Sequence, residues 1–271
     1  MPAITRASVT TTPTALKAAP ARSFGAILPK PLAHLTPRPS GPAIKGPATL
    51  PVPILMYHVI AGAPAGARNF TLYVPPRSFI EQLIYLVDHD YHAVTLQKVY
   101  DFWTGKGSLP AHPIVLSFDD GYPSDFTVVA PLLDSLHWPG VLNLIAGRGP
   151  NVTRMPSAQV RAMIACGWEI DSHTVSHLDL PTLSPTQVSY ELTKSRSKLR
   201  KLFGVPVNFF CYPSGRFNAR VVAAVRAAGY LAATTTQPGF ARPGQPFMLS
   251  RVRVSGGESL AGFADQLRAT R

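Results

Sequence analysis

Two stretches of the chain carry residue types whose spacing could do chemistry. In Leu116-Ser117-Phe118-Asp119-Asp120-Gly121-Tyr122 two carboxylates are adjacent and a glycine follows. The apolar run Pro113-Ile114-Val115-Leu116 before them reads as a short buried strand, so the carboxylates stand at its C-terminal end. In α/β folds that end is where ligands bind. Successive strand side chains point in opposite directions, so one carboxylate can hold a metal while the other faces a substrate. Asp and Gly are also common turn residues, and alone the stretch reads equally as a strand-terminating turn. About fifty residues on, His173 and His177 are four apart and can share one face of a helix or tight turn. Alone they read as surface or capping histidines. With a carboxylate from another strand end they form a two-His, one-Asp set with open positions, the donor set of a catalytic Zn²⁺ site.

The elements that must position these groups alternate in type. Val52 to Ile60 is an apolar strand ending in Tyr57-His58, and a Gly- and Pro-containing loop fills 61–76. Ser78 to His89 has helical apolar spacing at Phe79, Leu83, Ile84 and Leu86. A short strand near 93–95 and a helix over 96–103 precede the Asp-Asp stretch. A helix over 123–136 and a strand over 140–145 follow it. Ser157 is the expected N-cap of a helix to 165, and a strand over 168–170 leads into the histidines. The longest helical pattern is 184–203, with Ser184 as cap and Gly204 as stop. A strand over 207–212 ends at Pro213-Ser214-Gly215, and Asn218 caps a helix to about 228. Strands over 230–235 and 247–254 and a helix over 259–269 complete the chain. Such alternation predicts a parallel sheet or a β/α barrel.

Residues 1–50 have a different character. They hold nine prolines and six basic residues with no acid, and they read as a flexible basic tether; 51–271 is the folded domain. The chain's formal net charge is +12, so the domain itself carries only +6. No dense Lys/Arg run or nucleic-acid motif is present, which argues against a nucleic-acid partner. The tether could attach loosely to an anionic wall or membrane surface. Cys166 and Cys211 read as buried small hydrophobes rather than a bridge. No apolar run approaches a membrane span, and no clear signal-peptide core is visible near Phe24-Gly25-Ala26-Ile27-Leu28.

Phe118-Asp119-Asp120-Gly121 followed by His173-Thr174-Val175-Ser176-His177 resembles the first two motifs of the polysaccharide deacetylase family, the NodB-homology domain of carbohydrate esterase family 4. Phe210-Cys211-Tyr212-Pro213-Ser214-Gly215 is similar to the third motif of its poly-N-acetylglucosamine deacetylase branch. The resemblance covers about residues 50–255. It implies an α/β fold, a distorted (β/α) barrel in a single domain, with a disordered N-terminal extension. It implies that Asp120, His173 and His177 bind a divalent metal, Zn²⁺ first, with Co²⁺ or Ni²⁺ as alternatives. Asp119 would be the general base of acetamide hydrolysis, and the Tyr212, Pro213, Ser214, Gly215 loop would hold substrate and oxyanion. The partner would be an N-acetylglucosamine-containing glycan (poly-N-acetylglucosamine, chitin-like or peptidoglycan), met outside the cell or in its envelope by a monomeric enzyme.

The chain departs from the common family pattern in three places. Leu249-Ser250-Arg251 stands where a Leu-x-His would supply the general acid, Cys211 stands where an Arg would pair with the base, and Thr234-Thr235-Thr236 replaces an Asp-x-x-Asp-Trp type. Met56-Tyr57-His58 matches a Met-Tyr-His of the poly-N-acetylglucosamine branch, so His58 is the expected general acid; a histidine satisfied at a strand end is the other reading. Arg216 and Arg251 could tune Asp119 or touch substrate, and Tyr122, Trp168 and Tyr212 could stack on sugars. A family member that binds glycan without turnover is the alternative function. An iron oxygenase with the same ligand types is disfavoured, since it would show a jelly-roll pattern of short strands.

Overall fold

The computed structural model of the chain describes residues 43–44, 49–147 and 155–269. Eight parallel strands alternate with helices. They are β1 (Ile54–Tyr57), β2 (His92–Ala93), β3 (Pro113–Asp120), β4 (Val141–Leu144), β5 (Glu169–Ser172), β6 (Phe209–Cys211), β7 (Ala232–Pro238) and β8 (Leu249–Arg253). The helices are α1 (Pro76–Asp88), α2 (Leu96–Trp103), α3 (Ala130–Ser135), α4 (Ser157–Ala165), α5 (Pro185–Phe203), α6 (Ala219–Ala227) and α7 (Leu260–Ala269). Strand order is β1-β8-β7-β6-β5-β4-β3, and β3 pairs back onto β1 with Ile54 opposite Val115. The sheet therefore closes into a seven-stranded barrel, with the two-residue β2 hung outside on β3. The expected distorted (β/α) barrel is what the chain forms.

The period of two along each strand divides the core. Leu55, Leu116, Leu142, Ile170 and Phe210 face outward and pack with helix residues such as Phe79, Leu83, Leu192 and Phe263. Tyr57 stacks on Phe118 at 5.4 Å, and Trp168 lies 5.5 Å from the same Phe118. Trp168 is thus a core residue and no sugar platform. Ile54, Val115, Val141, Phe209, Ala232 and Leu249 form a second cluster with Val99, Phe102 and Trp103 of α2, which plugs the barrel's N-terminal end. Two positions further along the same strands the lumen turns polar: Ser117, Asn143, Cys211, Thr234 and Arg251 are all buried there. A barrel of this size is filled by side chains, so that upper layer must satisfy itself.

Low in the lumen, Glu169 and Asp171 lie on one face of β5. Glu169 Oε2 accepts the Gln97 amide at 2.8 Å, and Asp171 Oδ1 accepts the Phe209 amide at 3.3 Å. Burial, reinforced by each other's charge in the case of Asp171, pushes both carboxyls up, Glu169 to about 7. The remaining oxygens, Glu169 Oε1 and Asp171 Oδ2, are buried without a hydrogen-bond partner among the described residues.

Local signals place most boundaries. Ser184 and Gln187 form a reciprocal capping box on α5, and Gly204 ends the helix with φ 72°. Asn218 accepts the Val221 amide to start α6. One expectation is corrected: Pro156 takes the N-cap position of α4, so Ser157 is the first helical residue and makes no capping bond. The helix expected over 123–136 forms over 123–135, with Asp125–Val129 π-helical inside it. The carboxylates end their strand as expected, and the turn begins at Gly121. The tether lies almost wholly outside the described residues, although Ile44 within it donates its amide to the Leu109 carbonyl at 2.7 Å.

Candidate active site

β3 delivers its two carboxylates to different places. Asp119 points into the lumen, 2% exposed, where Arg251 of β8 grips both oxygens: Nη1 donates to Oδ1 and Nη2 to Oδ2, each at 2.8 Å. Asn143 Nδ2 adds a bond to Oδ1 at 2.7 Å. The Cys211 thiol lies 3.6 Å from Oδ2 and 3.3 Å from Arg251 Nη2. Burial would raise the Asp119 pKa, but the Arg251 guanidinium outweighs it and holds the carboxyl far below the usual range. Asp119 therefore stands as a carboxylate in the resting site.

Asp120 turns the other way. Its φ of 77° is unusual for a residue with a side chain, and Gly121 follows at φ 78°. A Cβ on Gly121 would come 2.6 Å from Leu144, so only glycine fits this turn. Asp120 Oδ1 lies 3.5 Å from His173 Nε2 and 3.6 Å from His177 Nε2. The histidines sit on a loop leaving β5, not on a helix, and their rings meet at 4.7 Å nearly edge to face. Thr174 and His177 adopt positive φ, and the Thr174 hydroxyl accepts the His177 amide at 2.8 Å. From α5, buried Glu191 accepts the Val175 and Ser176 amides with one oxygen, at 2.8 and 2.9 Å.

These residues fit a divalent cation. One carboxylate oxygen and two imidazole nitrogens lie within 4.8 Å of one another, the mixed O/N set that suits Zn²⁺. His173 bonds the Cys211 carbonyl through Nδ1 at 2.7 Å, which leaves Nε2 as the coordinating atom. Burial disfavours charge on His173, yet Cys211 and the two aspartates outweigh it and push its pKa up to about 10. Burial and the neighbouring His173 lower the His177 pKa and keep it neutral.

The remaining expected residues gather at the same mouth, around a cavity of about 410 Å³. His58, just past β1, lines it with Nε2 3.9 Å from Asp119 Oδ2, too far for a direct hydrogen bond. Burial lowers its pKa, partly offset by Asp119 and Asp120. Ser214 and Gly215 reach the cavity from the loop after β6, with φ 52° and 67°. A Cβ on Gly215 would collide with Thr236. Pro213 is buried and does not line the cavity. Tyr212 touches it, but its ring is held against Phe217 at 4.9 Å and its hydroxyl bonds the Phe247 carbonyl, so it braces the loop rather than offering an open stacking face. Arg216 pairs with Asp179 at 2.5 Å and does not tune the base.

Two residues that complete the site, Asn143 and Glu191, are missed from sequence. Asn143 is the one polar residue of β4, a readable signal. Glu191 is a carboxylate on the buried stripe of α5 with Val188, Leu192 and Ser195, equally readable in principle. Arg251 reads from sequence as a partner of Asp119 or of substrate, and the structure pairs it with Asp119.

Residues 106–233 match the polysaccharide deacetylase family. YxkH of Bacillus subtilis (strain 168), named for the polysaccharide deacetylases, is 30% identical over 213 residues, covering 78% of this chain and 74% of that protein. Poly-β-1,6-N-acetyl-D-glucosamine N-deacetylase of Escherichia coli (strain K12) is 26% identical over 69% of this chain, which spans 34% of that longer protein. The Streptococcus pyogenes deacetylase PplD, solved with acetate, superposes with a TM-score of 0.74 at 26% identity, covering 80% of this chain and 98% of its own. With motif residues converging at one barrel mouth, and a relative of this identity matched over most of its length, the chain belongs to the polysaccharide deacetylase family.

Proposed function

We propose that this protein is a metal-dependent N-deacetylase of N-acetylglucosamine-containing polysaccharide, acting as a monomer outside the cytoplasm. The observation that carries the reading is the division of labour in the Asp pair: Asp120 faces two imidazole nitrogens, while Asp119 is held apart beside them, paired with Arg251. A divalent cation held by Asp120, His173 and His177, Zn²⁺ foremost, would supply acidity to water and polarise the acetamide carbonyl. Asp119 takes the proton of the attacking water. A backbone amide near Ser214, in the loop that lines the cavity, would donate to the carbonyl oxygen as it gains charge. His58 returns a proton to the sugar nitrogen as the C–N bond breaks, because an amide anion is a poor leaving group. Acetate and a free amine result, and the proton is conserved between Asp119 and His58. The poly-β-1,6-N-acetyl-D-glucosamine deacetylase among the relatives favours that glycan first, with chitin-like and peptidoglycan chains as the other candidates.

The test is acetate release from β-1,6- and β-1,4-linked N-acetylglucosamine oligomers and from peptidoglycan fragments. Zn²⁺-loaded protein should release acetate, chelation should stop it, and metal return should restore it. Absence of acetate from all three substrates would overturn the reading.

A further inference from the structure

Of the two arginines that line the catalytic cavity, one is spent. Arg251 neutralises Asp119, whereas Arg253, two residues further along β8, reaches the same cavity and is exposed. Successive odd positions of β8 share a face, so Arg253 stands one step, roughly 7 Å, closer to the rim than Arg251. Among the described residues no carboxylate pairs with it. The acids of the cavity are Asp119 and Asp120, one clamped and the other facing the histidines. Glu258, nearby in sequence, is directed to the Ser255 amide and Gln266. The mouth therefore carries an uncompensated guanidinium where a glycan chain must lie.

Deacetylation changes the charge of what lies there. An N-acetylglucosamine unit is neutral, whereas the glucosamine it becomes is an ammonium at neutral pH. We infer that Arg253 is a charge filter: it admits acetylated or anionic sugars beside the reacting unit and repels a neighbour that has already lost its acetyl group. Deacetylation is then self-limiting, giving isolated amines along the chain rather than blocks. This inference rests on the deacetylase reading and adds selectivity to it. Two unit charges a sugar's width apart at a wet surface correspond to a rate or affinity factor of roughly three- to tenfold, larger at low salt.

The experiment compares a fully N-acetylated hexamer with hexamers carrying one glucosamine next to the cleavable unit, for wild type, Arg253→Lys and Arg253→Glu at low and high salt. Wild type and Arg253→Lys should prefer the fully acetylated chain about fivefold, mainly through KM, with the preference shrinking in salt. Arg253→Glu should cancel or invert it, and its end products, sequenced by mass spectrometry, should contain adjacent amines. Equal use of both hexamers by wild type, or a ratio unmoved by Arg253→Glu, overturns the inference while leaving the deacetylase reading intact. If no hexamer releases acetate, the deacetylase reading fails, and the filter is read from binding of acetylated against deacetylated hexamer to the same three proteins. Equal binding by wild type and Arg253→Glu then overturns it too.

Discussion

Replacing Glu191 tests whether the histidine loop is held from outside the site. Glu191 is 4% exposed and its Oε2 accepts two consecutive amides, Val175 and Ser176, midway between the two imidazoles. A hydrogen bond to a charged group contributes about 1.5–3 kcal/mol, and both amides are only half-buried, so Glu191→Ala should cost about 2–4 kcal/mol of stability. The loop would then present its imidazoles less accurately, and losing such a support typically weakens metal binding about 10–100-fold. Glu191→Gln is nearly isosteric and keeps one oxygen to accept both amides. It should therefore lose only the charge assistance, about half the effect. Zn²⁺ affinity by chelator competition and urea unfolding of the chelated protein read the two quantities separately. If Glu191→Ala binds Zn²⁺ within twofold of wild type, or if Gln serves no better than Ala, the loop is not set by this clamp.

Four further outcomes follow from the geometry. Arg251→Met leaves Asp119 buried and unpaired, which should cost about 3–5 kcal/mol in urea unfolding and abolish acetate release; a loss below about 1 kcal/mol would contradict the pairing. His58→Gln should lower kcat by about 10²–10⁴ with Zn²⁺ affinity retained; wild-type kcat would remove His58 from the reaction. Gly215→Ala forces a side chain at φ 67° against Thr236, so kcat should fall at least about tenfold as the loop shifts the Ser214 amide; unchanged turnover would free that amide of its role. Glu169 and Asp171 have folded pKa values raised above their unfolded ones, so the fold favours their protonated forms and stability is lost as pH rises from about 4.5 through about 7. Glu169→Gln should therefore gain on the order of 1–3 kcal/mol relative to wild type between pH 5 and 8; a pH-independent difference in unfolding free energy would refute the upward shift of these carboxyls.

The barrel was legible because its signals are local. Apolar runs of strand length, the Ser184 box and the Gly204 stop each act within one turn or one strand, and each formed where expected. What neighbours decide is less legible. The Asp pair reads equally as a strand end or a turn, and the pairing of Asp120 with Leu144 keeps it in the sheet. The helix after Tyr122 forms as read, but nothing local marks its π-helical segment, Asp125–Val129. The candidate metal donors are readable as a pattern, since Asp120 lies in the first motif stretch and His173 and His177 in the next. Their support by Glu191 and Asn143 was visible only as polar residues in apolar stripes, with no spacing to say what they touch.

The residue apparently missing from the site explains itself through closure of the barrel. A base in the lumen needs a cation in its own layer, not at a given place in sequence. Asp119, Asn143, Cys211 and Arg251 reach that layer from four different strands, each two residues beyond an apolar plug residue or, for Asp119, one step higher. Arg251 and Cys211 are both fully buried in that layer. Cys211 is small enough to fit beside the guanidinium, and its sulfur sits 3.3 Å from Arg251 Nη2. An arginine at 211 would add a second guanidinium to a space filled by the first, so the cysteine and the arginine on β8 form one solution. With Arg251 at that place on β8, His58 is the histidine that lines the mouth from the β1 side, its Nε2 3.9 Å from Asp119 Oδ2.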